Sequence, residues 1–209
     1  MFIIIKHKFI CKNNKLYIPT KKNISLLRKK GNLAHEIINW IHYKSNTKFD
    51  EKIFWNQRNI FLQSQRSIQY LKLRSNVKFI FKKLNNLGIL IVICSLRKKP
   101  NIIQKFLKKH NLLSYVDCIF TDEVDTLDRR NPDNRIKIKS RLFKKILKQY
   151  GMSAHEVISI GDSTSDLHAS KKCNISFYNV NFGINSNIKS RNQLSTFKEL
   201  IEILNIINT

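Results

Sequence analysis

Two aspartates four residues apart follow a short apolar run in the carboxyl-terminal half of the chain. The stretch VISIGDSTSDLHASKK, residues 157–172, places Asp162 directly after Gly161 and Asp166 one helical turn later. Carboxylates grouped in this way can hold a hard cation such as Mg²⁺ or take part in proton transfer. Structural roles are also open, because Asp162 can cap a helix and Asp166 can favour its first turn.

Short apolar runs alternate with amphipathic segments on both sides of these aspartates. Strands are expected within residues 1–12, 89–95, 115–124, 156–161 and 175–183. Helical patterns occupy residues 24–85, 140–150 and 195–207. Two further helical segments begin at Pro100 and at about residue 166. Strands that alternate with helices indicate a parallel sheet covered on both faces. The sequence therefore predicts an α/β fold built on a doubly wound parallel sheet.

In such a sheet, ligands bind outside the carboxyl ends of the strands. Polar residues follow several of the predicted strands, and two lysines lie just before the predicted helix at 140–150. The candidate site residues at this edge are Lys6, Lys8, Ser95, Lys137, Lys139, Asp162 and Asp166.

The segment from Gly88 to Gly183 resembles the haloacid dehalogenase superfamily of phosphohydrolases. GILIVICSL is similar to the family's second motif, whose strand-end serine or threonine binds the phosphoryl group, which implies that role for Ser95. The family also places a lysine some two dozen residues before the aspartate of GDSxxD. Lys137 and Lys139 both suit that spacing, and we prefer Lys139.

GDSTSD, together with the pattern that follows it, resembles the fourth motif of the same family. The resemblance implies that Asp162 and Asp166 are ligands of Mg²⁺ and that the ligand is a phosphorylated small molecule. It also implies a helical cap inserted after the first strand. We expect a Rossmann-like core at residues 1–13 and 82–209 and the cap at residues 14–81.

The first motif departs from the family. Where the family reads DxDGT, with a nucleophilic aspartate and an acid/base aspartate two residues on, this chain reads KHKFI at residues 6–10. No acidic residue occurs before Glu36, so both carboxylates are missing and lysines stand in their place. The segment DEVDTL at 122–127 also follows a strand, but its carboxylates have the wrong spacing and we interpret it as a surface loop.

The substitution of lysine for aspartate changes the sign of the charge in the expected pocket. An ammonium facing a carboxylate at about 4 Å is worth about 4 kcal/mol at an effective dielectric of 20. We therefore hypothesise that Lys6 or Lys8 pairs with Asp162 or Asp166 where the family holds Mg²⁺. This hypothesis argues against the magnesium cofactor that the resemblance implies.

Three interpretations of function follow. The first is a haloacid dehalogenase-like protein that resembles Mg²⁺-dependent phosphatases but is catalytically impaired, since lysines replace both first-motif aspartates. The second is an active Mg²⁺-dependent phosphohydrolase that uses an unorthodox nucleophile. The third is a basic module that binds nucleic acid or another acidic surface.

The net charge of +25 is the basis of the third interpretation. Residues 1–116 hold 25 basic and 3 acidic side chains, whereas residues 117–209 hold 14 and 11. The chain is rich in Ile, Lys and Asn, as are proteins from genomes rich in A and T. Its 29 lysines outnumber its 10 arginines, whereas specific phosphate recognition often favours arginine. The composition therefore does not favour nucleic acid as a specific partner.

Cysteine usage and hydropathy indicate the compartment. Cys11, Cys94, Cys118 and Cys173 are scattered, which is typical of free thiols in a reducing environment. No apolar run reaches 18 residues and no signal-peptide pattern opens the chain, so we expect no membrane association. The predicted location is the cytoplasm, or an organelle interior such as the plastid stroma if the gene is organelle-encoded.

Overall fold

The computed structural model describes residues 63–123, 127, 131–180, 192–195, 199–200 and 202–203, together with scattered positions between 39 and 61. The chain divides into two compact units, residues 1–64 and 65–209. In the first unit, every described position from 39 to 61 is helical, as the apolar spacing predicts. The division into a core at 1–13 and 82–209 and a cap at 14–81 stays a prediction.

The second unit alternates helices and strands. Its elements are α1 (Val77–Asn86), β1 (Val92–Ser95), α2 (Pro100–Lys109), β2 (Cys118–Thr121), α3 (Pro132–Tyr150), β3 (Ile158–Gly161), α4 (Thr164–Lys172), β4 (Ser176–Val180) and β5 (Gln193–Leu194). Short 3₁₀ helices lie at Gln65–Tyr70, Leu113–Tyr115 and Ala154–Glu156. This order confirms the predicted α/β class.

The described strands form two parallel sheets. In the first sheet β1 pairs with β2, and Ser95 is opposite Thr121. In the second sheet β4 lies between β3 and β5. The two-residue strand β5 was not predicted, because so short a pairing leaves no periodicity in the sequence.

Helices cover both faces of the first sheet. Ile93 of β1 packs with Val77 of α1 and Leu107 of α2. The next side chain, Cys94, faces the opposite way and packs against the cluster that contains Leu142 of α3. Because successive strand residues alternate between faces, this contact pattern confirms the doubly wound arrangement.

Helix α3 is longer than predicted, and this changes the setting of two candidate lysines. The sequence predicted a helix at 140–150, but the helix begins at Pro132. Asn131 caps it, with its Oδ1 accepting a hydrogen bond from the Asp133 amide at 2.8 Å. A polar side chain followed by proline is a helix start signal that the polarity of residues 125–138 obscured. Lys137 and Lys139 therefore lie within the helix rather than in a preceding loop.

The predicted helical block at 24–85 is interrupted. Residues 63–64 form a turn, residues 65–70 form a 3₁₀ turn, and residues 71–74 have no regular structure. Ser64 Oγ donates a hydrogen bond to the Phe61 carbonyl at 2.7 Å. A serine hydroxyl that bonds the preceding turn offers the backbone an alternative to helix continuation, which apolar spacing alone does not reveal.

Some predicted features lie outside the described residues. The first strand, with Lys6, Lys8 and Cys11, is among them, and the hypothesis that these lysines replace a metal stays a prediction. Five positions are described within the predicted closing helix at 195–207: the four at 199, 200, 202 and 203 are helical, and Ser195 is not. Across the described ranges, no helix is long and apolar enough to cross a membrane.

Candidate functional site

The turn from β3 to α4 carries the two aspartates. Strand β3 ends at Gly161, and α4 begins at Thr164 with Ser163 as its N-cap. Ser163 Oγ accepts a hydrogen bond from the Asp166 amide at 3.3 Å. The cap is therefore Ser163 and not Asp162, because the capping hydroxyl must directly precede the first helical residue. Asp166 lies in the first turn, as its spacing predicts.

Asp166 is bonded on both of its carboxylate oxygens. Lys139 Nζ of α3 donates to Oδ1, and the Ser163 hydroxyl donates to Oδ2. The side chains of Lys139 and Asp166 are only 11% and 14% exposed. Ser165 Oγ lies 2.8 Å from Ser163 Oγ and extends the network. A largely desolvated ion pair thus joins α3 to the first turn of α4.

The two candidate lysines of α3 have different environments. Lys139 is buried, whereas Lys137 is exposed. Residues two positions apart on a helix are separated by about 200° around its axis, so only one of them can face the sheet edge. The structure brings Lys139 to Asp166 and leaves Lys137 in solvent. The phosphate-binding role assigned to either lysine stays a prediction.

Gly161 permits the close approach of Asp166 to the end of β3. A Cβ atom added at Gly161 would lie 2.6 Å from Cγ of Asp166 and 2.7 Å from its Cβ. Distances below 3.0 Å are not tolerated without movement, so a side chain at position 161 would displace the carboxylate. Glycine is required here for space rather than for a left-handed backbone.

Ser95 is the last residue of β1, in the sheet that β1 forms with β2. Its Oγ accepts a hydrogen bond from the Arg97 amide at 3.2 Å, which leaves the hydroxyl proton available for another acceptor. Burial lowers the pKa of the Arg97 guanidinium. The charges of Lys139 and Asp166 both act on the neighbouring Cys94 thiol, so the end of β1 and the ion pair share one electrostatic environment.

Cys94 is influenced by both charges of this pair, and its burial makes it unreactive. Burial raises the pKa of Cys94 to about 12, although Lys139 acts in the opposite direction. We expect iodoacetamide at pH 8 to alkylate Cys94 far more slowly in the folded protein than in guanidinium chloride, because the thiolate is the nucleophile. Mass spectrometry of the Cys94 peptide measures both rates, and equal rates would contradict the assignment.

The raised pKa of Cys94 also sets the sign of an alkaline effect on stability. The folded state keeps the thiol proton more tightly than the unfolded state does. Its contribution is therefore complete below the ordinary thiol pKa and is lost as the pH rises towards about 12.

Asp122 is a functional candidate that the sequence analysis missed. The segment 122–127 was interpreted as a surface loop, which is wrong for Asp122, because this residue follows β2 directly and is 7% exposed. Arg141 Nη2 of α3 donates to its Oδ1 at 3.0 Å. The available signal was the position of Asp122 directly after a strand, at the edge that Ser95 shares.

Among the described residues, the carboxylates near the end of β3 are not arranged as a magnesium site. Mg²⁺ requires near-octahedral oxygen ligands, and both oxygens of Asp166 are already bonded to Lys139 and Ser163. Within the described part of the chain, no three His, Cys, Asp or Glu side chains are grouped so that they could hold a metal. The assignment of Asp162 and Asp166 as ligands of Mg²⁺ stays a prediction, and we derive no chemistry through a metal.

A model of the haloacid dehalogenase-like hydrolase family matches residues 4–180 of the chain. The fold is similar to that of a predicted phosphoglycolate phosphatase from Haemophilus somnus 129pt, with a TM-score of 0.61 and 16% identity over 79% of this chain and 73% of that one. It is also similar to a predicted phosphatase from Clostridium acetobutylicum, with a TM-score of 0.59 and 18% identity over 80% and 76% of the two chains.

A third solved structure, a haloacid dehalogenase superfamily hydrolase of subfamily IA from Geobacter sulfurreducens PCA, matches with a TM-score of 0.53 and 15% identity. That match covers 66% of this chain and 64% of the Geobacter protein, which is less than two thirds of its length. No curated protein shows a significant sequence match. At these identities the structural likeness establishes the fold.

Proposed function

Because the chain belongs to the haloacid dehalogenase-like hydrolase family, we propose that it binds a phosphorylated small molecule at the carboxyl edge of its sheet without hydrolysing it. The observation that carries the proposal is the Lys139–Asp166 ion pair beside the end of β1. The pair is neutral overall, but it fixes the Lys139 ammonium group in a largely buried position, where an anion can bind its remaining N–H groups. The phosphatase-like structural neighbours support a phosphorylated ligand.

Binding would use donors that the structure leaves available. An ammonium group has three N–H donors, and Lys139 uses one of them on Asp166. The Ser95 hydroxyl adds another donor at the same edge. The KHKFI segment resembles a first motif without its aspartates, and the positive charge of Lys6 and Lys8 supports binding of an anion rather than of Mg²⁺.

Hydrolysis would need a nucleophile and charge neutralisation of the transferred phosphoryl group. The first-motif aspartates are replaced by lysines. The Cys94 thiol stays protonated at neutral pH because burial raises its pKa to about 12. Neither group supports a covalent phosphoryl intermediate.

The alternative is an active phosphohydrolase with an unorthodox nucleophile. Two observations favour it: no described residue donates a hydrogen bond to the Asp162 carboxylate, and Asp122 is a second carboxylate at the same edge of the fold. The two functions predict opposite outcomes in an assay of phosphate-ester hydrolysis: no turnover for the binding protein, and turnover for the phosphohydrolase. The Asp162→Asn variant tests whether any turnover depends on this site.

The first experiment measures p-nitrophenyl phosphate hydrolysis with Mg²⁺, for the chain as given and for Asp162→Asn. We expect no turnover in either. Activity that is lost in Asp162→Asn would overturn the proposal in favour of the alternative. Introducing both Lys6→Asp and Lys8→Asp then tests whether these two lysines alone separate the chain from an enzyme, and a gain of turnover is expected.

The second experiment measures binding of inorganic phosphate by its effect on thermal unfolding. A ligand that binds only the folded state stabilises it by about 2.7 kcal/mol at 100 times its Kd. We expect the shift in Tm to shrink in Ser95→Ala and to persist in Lys137→Gln, the exposed control. Equal shifts in both variants would place phosphate elsewhere and contradict the proposed site.

A further inference from the structure

Helices α1 and α2 present many lysines and no carboxylate. The chain has no acidic residue from Lys52 to Val116. Two helices and their flanking residues in that stretch carry nine exposed basic side chains: Lys72, Arg74, Lys78, Lys82, Lys98, Lys99, Lys105, Lys108 and Lys109. A surface with this one-sided charge attracts a polyanion and repels other cations.

The two helices are neighbours on the same face of the sheet. Val77 of α1 and Leu107 of α2 belong to one buried cluster, against which Phe81 and Ile103 also pack. Their inward faces thus share one hydrophobic cluster, and the exposed lysines lie on the outward sides of the two helices. We call this surface, the outward residues of α1 and α2, the basic face.

Phe79 gives the basic face an aromatic group. Its side chain is 57% exposed, and it is the sole aromatic residue among the exposed large hydrophobic residues described in the second unit. Lys82 and Lys83 follow it by three and four positions and Asn86 by seven, so all lie on one side of α1. An exposed ring can stack on a base, and ammonium groups can neutralise phosphates. A side-chain amide can form hydrogen bonds with the edge of a base.

We propose that the basic face of α1 and α2 binds single-stranded nucleic acid. The sequence analysis attributed the net charge to composition, but composition alone does not explain why residues 117–209 keep 11 acidic side chains while this face has none. The cations are mainly lysines, which act as point charges, so binding tolerates different base sequences. The surface is unsuited to a bilayer, because the apolar side of α1, with Ile80 and Leu84, is buried in the core.

The test uses fluorescence anisotropy with a labelled 20-nucleotide oligouridylate at physiological salt and over a salt series. One variant carries Lys78→Gln, Lys82→Gln and Lys105→Gln on the basic face. The matched control, Lys148→Gln, Lys171→Gln and Lys172→Gln, removes the same charge from exposed positions of α3 and α4. We expect the first set to weaken binding about tenfold and to reduce the logarithmic salt slope by about 2. The control set should leave both nearly unchanged.

The aromatic contribution has its own matched pair. Phe79→Ala removes the stacking surface, and affinity is expected to fall about tenfold, since base–aromatic stacking is worth about 1–3 kcal/mol. Leu87→Ala, at an apolar position that is 44% exposed and follows the same helix, should leave affinity unchanged. Ser95→Ala should also leave it unchanged, and so should inorganic phosphate added at constant ionic strength, which separates this surface from the proposed phosphate site.

Three results would overturn the inference. Equal losses from the two lysine sets would mean that net charge alone attracts the oligonucleotide. If the oligonucleotide did not bind at physiological salt, the basic face would attract nucleic acid only non-specifically at low salt. Tighter binding of a duplex of the same length, together with an unchanged affinity in Phe79→Ala, would exclude the single-stranded mode.

Discussion

Replacing Lys139 with methionine is expected to lower the free energy of unfolding by about 3 kcal/mol. The side chains of Lys139 and Asp166 are 11% and 14% exposed, so the pair is largely out of water. Methionine fills most of the same volume but leaves the Asp166 carboxylate without its cation. The uncompensated charge, rather than a lost attraction alone, causes the loss. Because some solvent reaches both groups, we place the value at the lower end for a broken buried pair.

Urea denaturation measures this effect, with Lys137→Met as the matched control. Lys137 lies on the same helix and is exposed, so its replacement should change stability by no more than about 0.5 kcal/mol. Adding Asp166→Asn to Lys139→Met should recover part of the loss, because the unpaired charge is then removed. If Lys139→Met and Lys137→Met were equally stable, the ion pair would have no role in holding α3 against α4.

The alternation of elements was predictable for a physical reason. Strands of a parallel sheet are buried on both faces and therefore appear as continuous apolar runs, as in GILIVIC before Ser95. Each run is followed by an amphipathic stretch, whose apolar side must cover the sheet. The order of strands and helices from residue 88 to the end of β4 depends only on these local patterns, and the structure confirms it.

Boundaries and site contacts depend on signals that hydropathy does not carry. The start of α3 depends on Asn131 and Pro132, and once that start is known the helix places Lys139 next to the buried Ile138. Without this start, the only guide to the lysine is the spacing found in the family, and that spacing suits Lys137 as well as Lys139. If a helix is assumed to begin at Pro132, Lys137 and Lys139 lie about 200° apart around its axis, so only one of the two lysines can face the sheet.

Asp122 shows a different limit. Its burial depends on Arg141, which lies 19 positions further along the chain and on another element. No local pattern links a carboxylate after β2 to a guanidinium in α3. The same holds for the bond from Lys139 to Asp166, which are 27 positions apart. The sequence shows which polar residues follow the strands and are therefore candidates for the site. Which of these side chains bond to each other depends on how the helices pack.

Replacing Gly161 with alanine is expected to lower the free energy of unfolding by about 2 kcal/mol, as overpacking in a filled site does. The new Cβ would lie 2.6 Å from Cγ, 2.7 Å from Cβ and 2.8 Å from Oδ2 of Asp166. That carboxylate cannot rotate away freely, because Lys139 and Ser163 hold its two oxygens. The substitution must therefore shift the first turn of α4 or break the ion pair.

Chemical denaturation with Gly151→Ala as the comparison separates crowding from backbone effects. Gly151 has φ of 63° and no heavy atom within 4 Å of an added Cβ, so alanine there costs about 1 kcal/mol through its backbone conformation alone. The decisive measurement is the cost of Gly161→Ala in an Asp166→Ala background, where two of the three crowded atoms are gone. We expect that cost to fall, since the remaining contact is with Cβ alone. An unchanged cost would mean that Asp166 does not limit the space at Gly161, and that the close approach of β3 to the carboxylate does not fix the position of the ion pair.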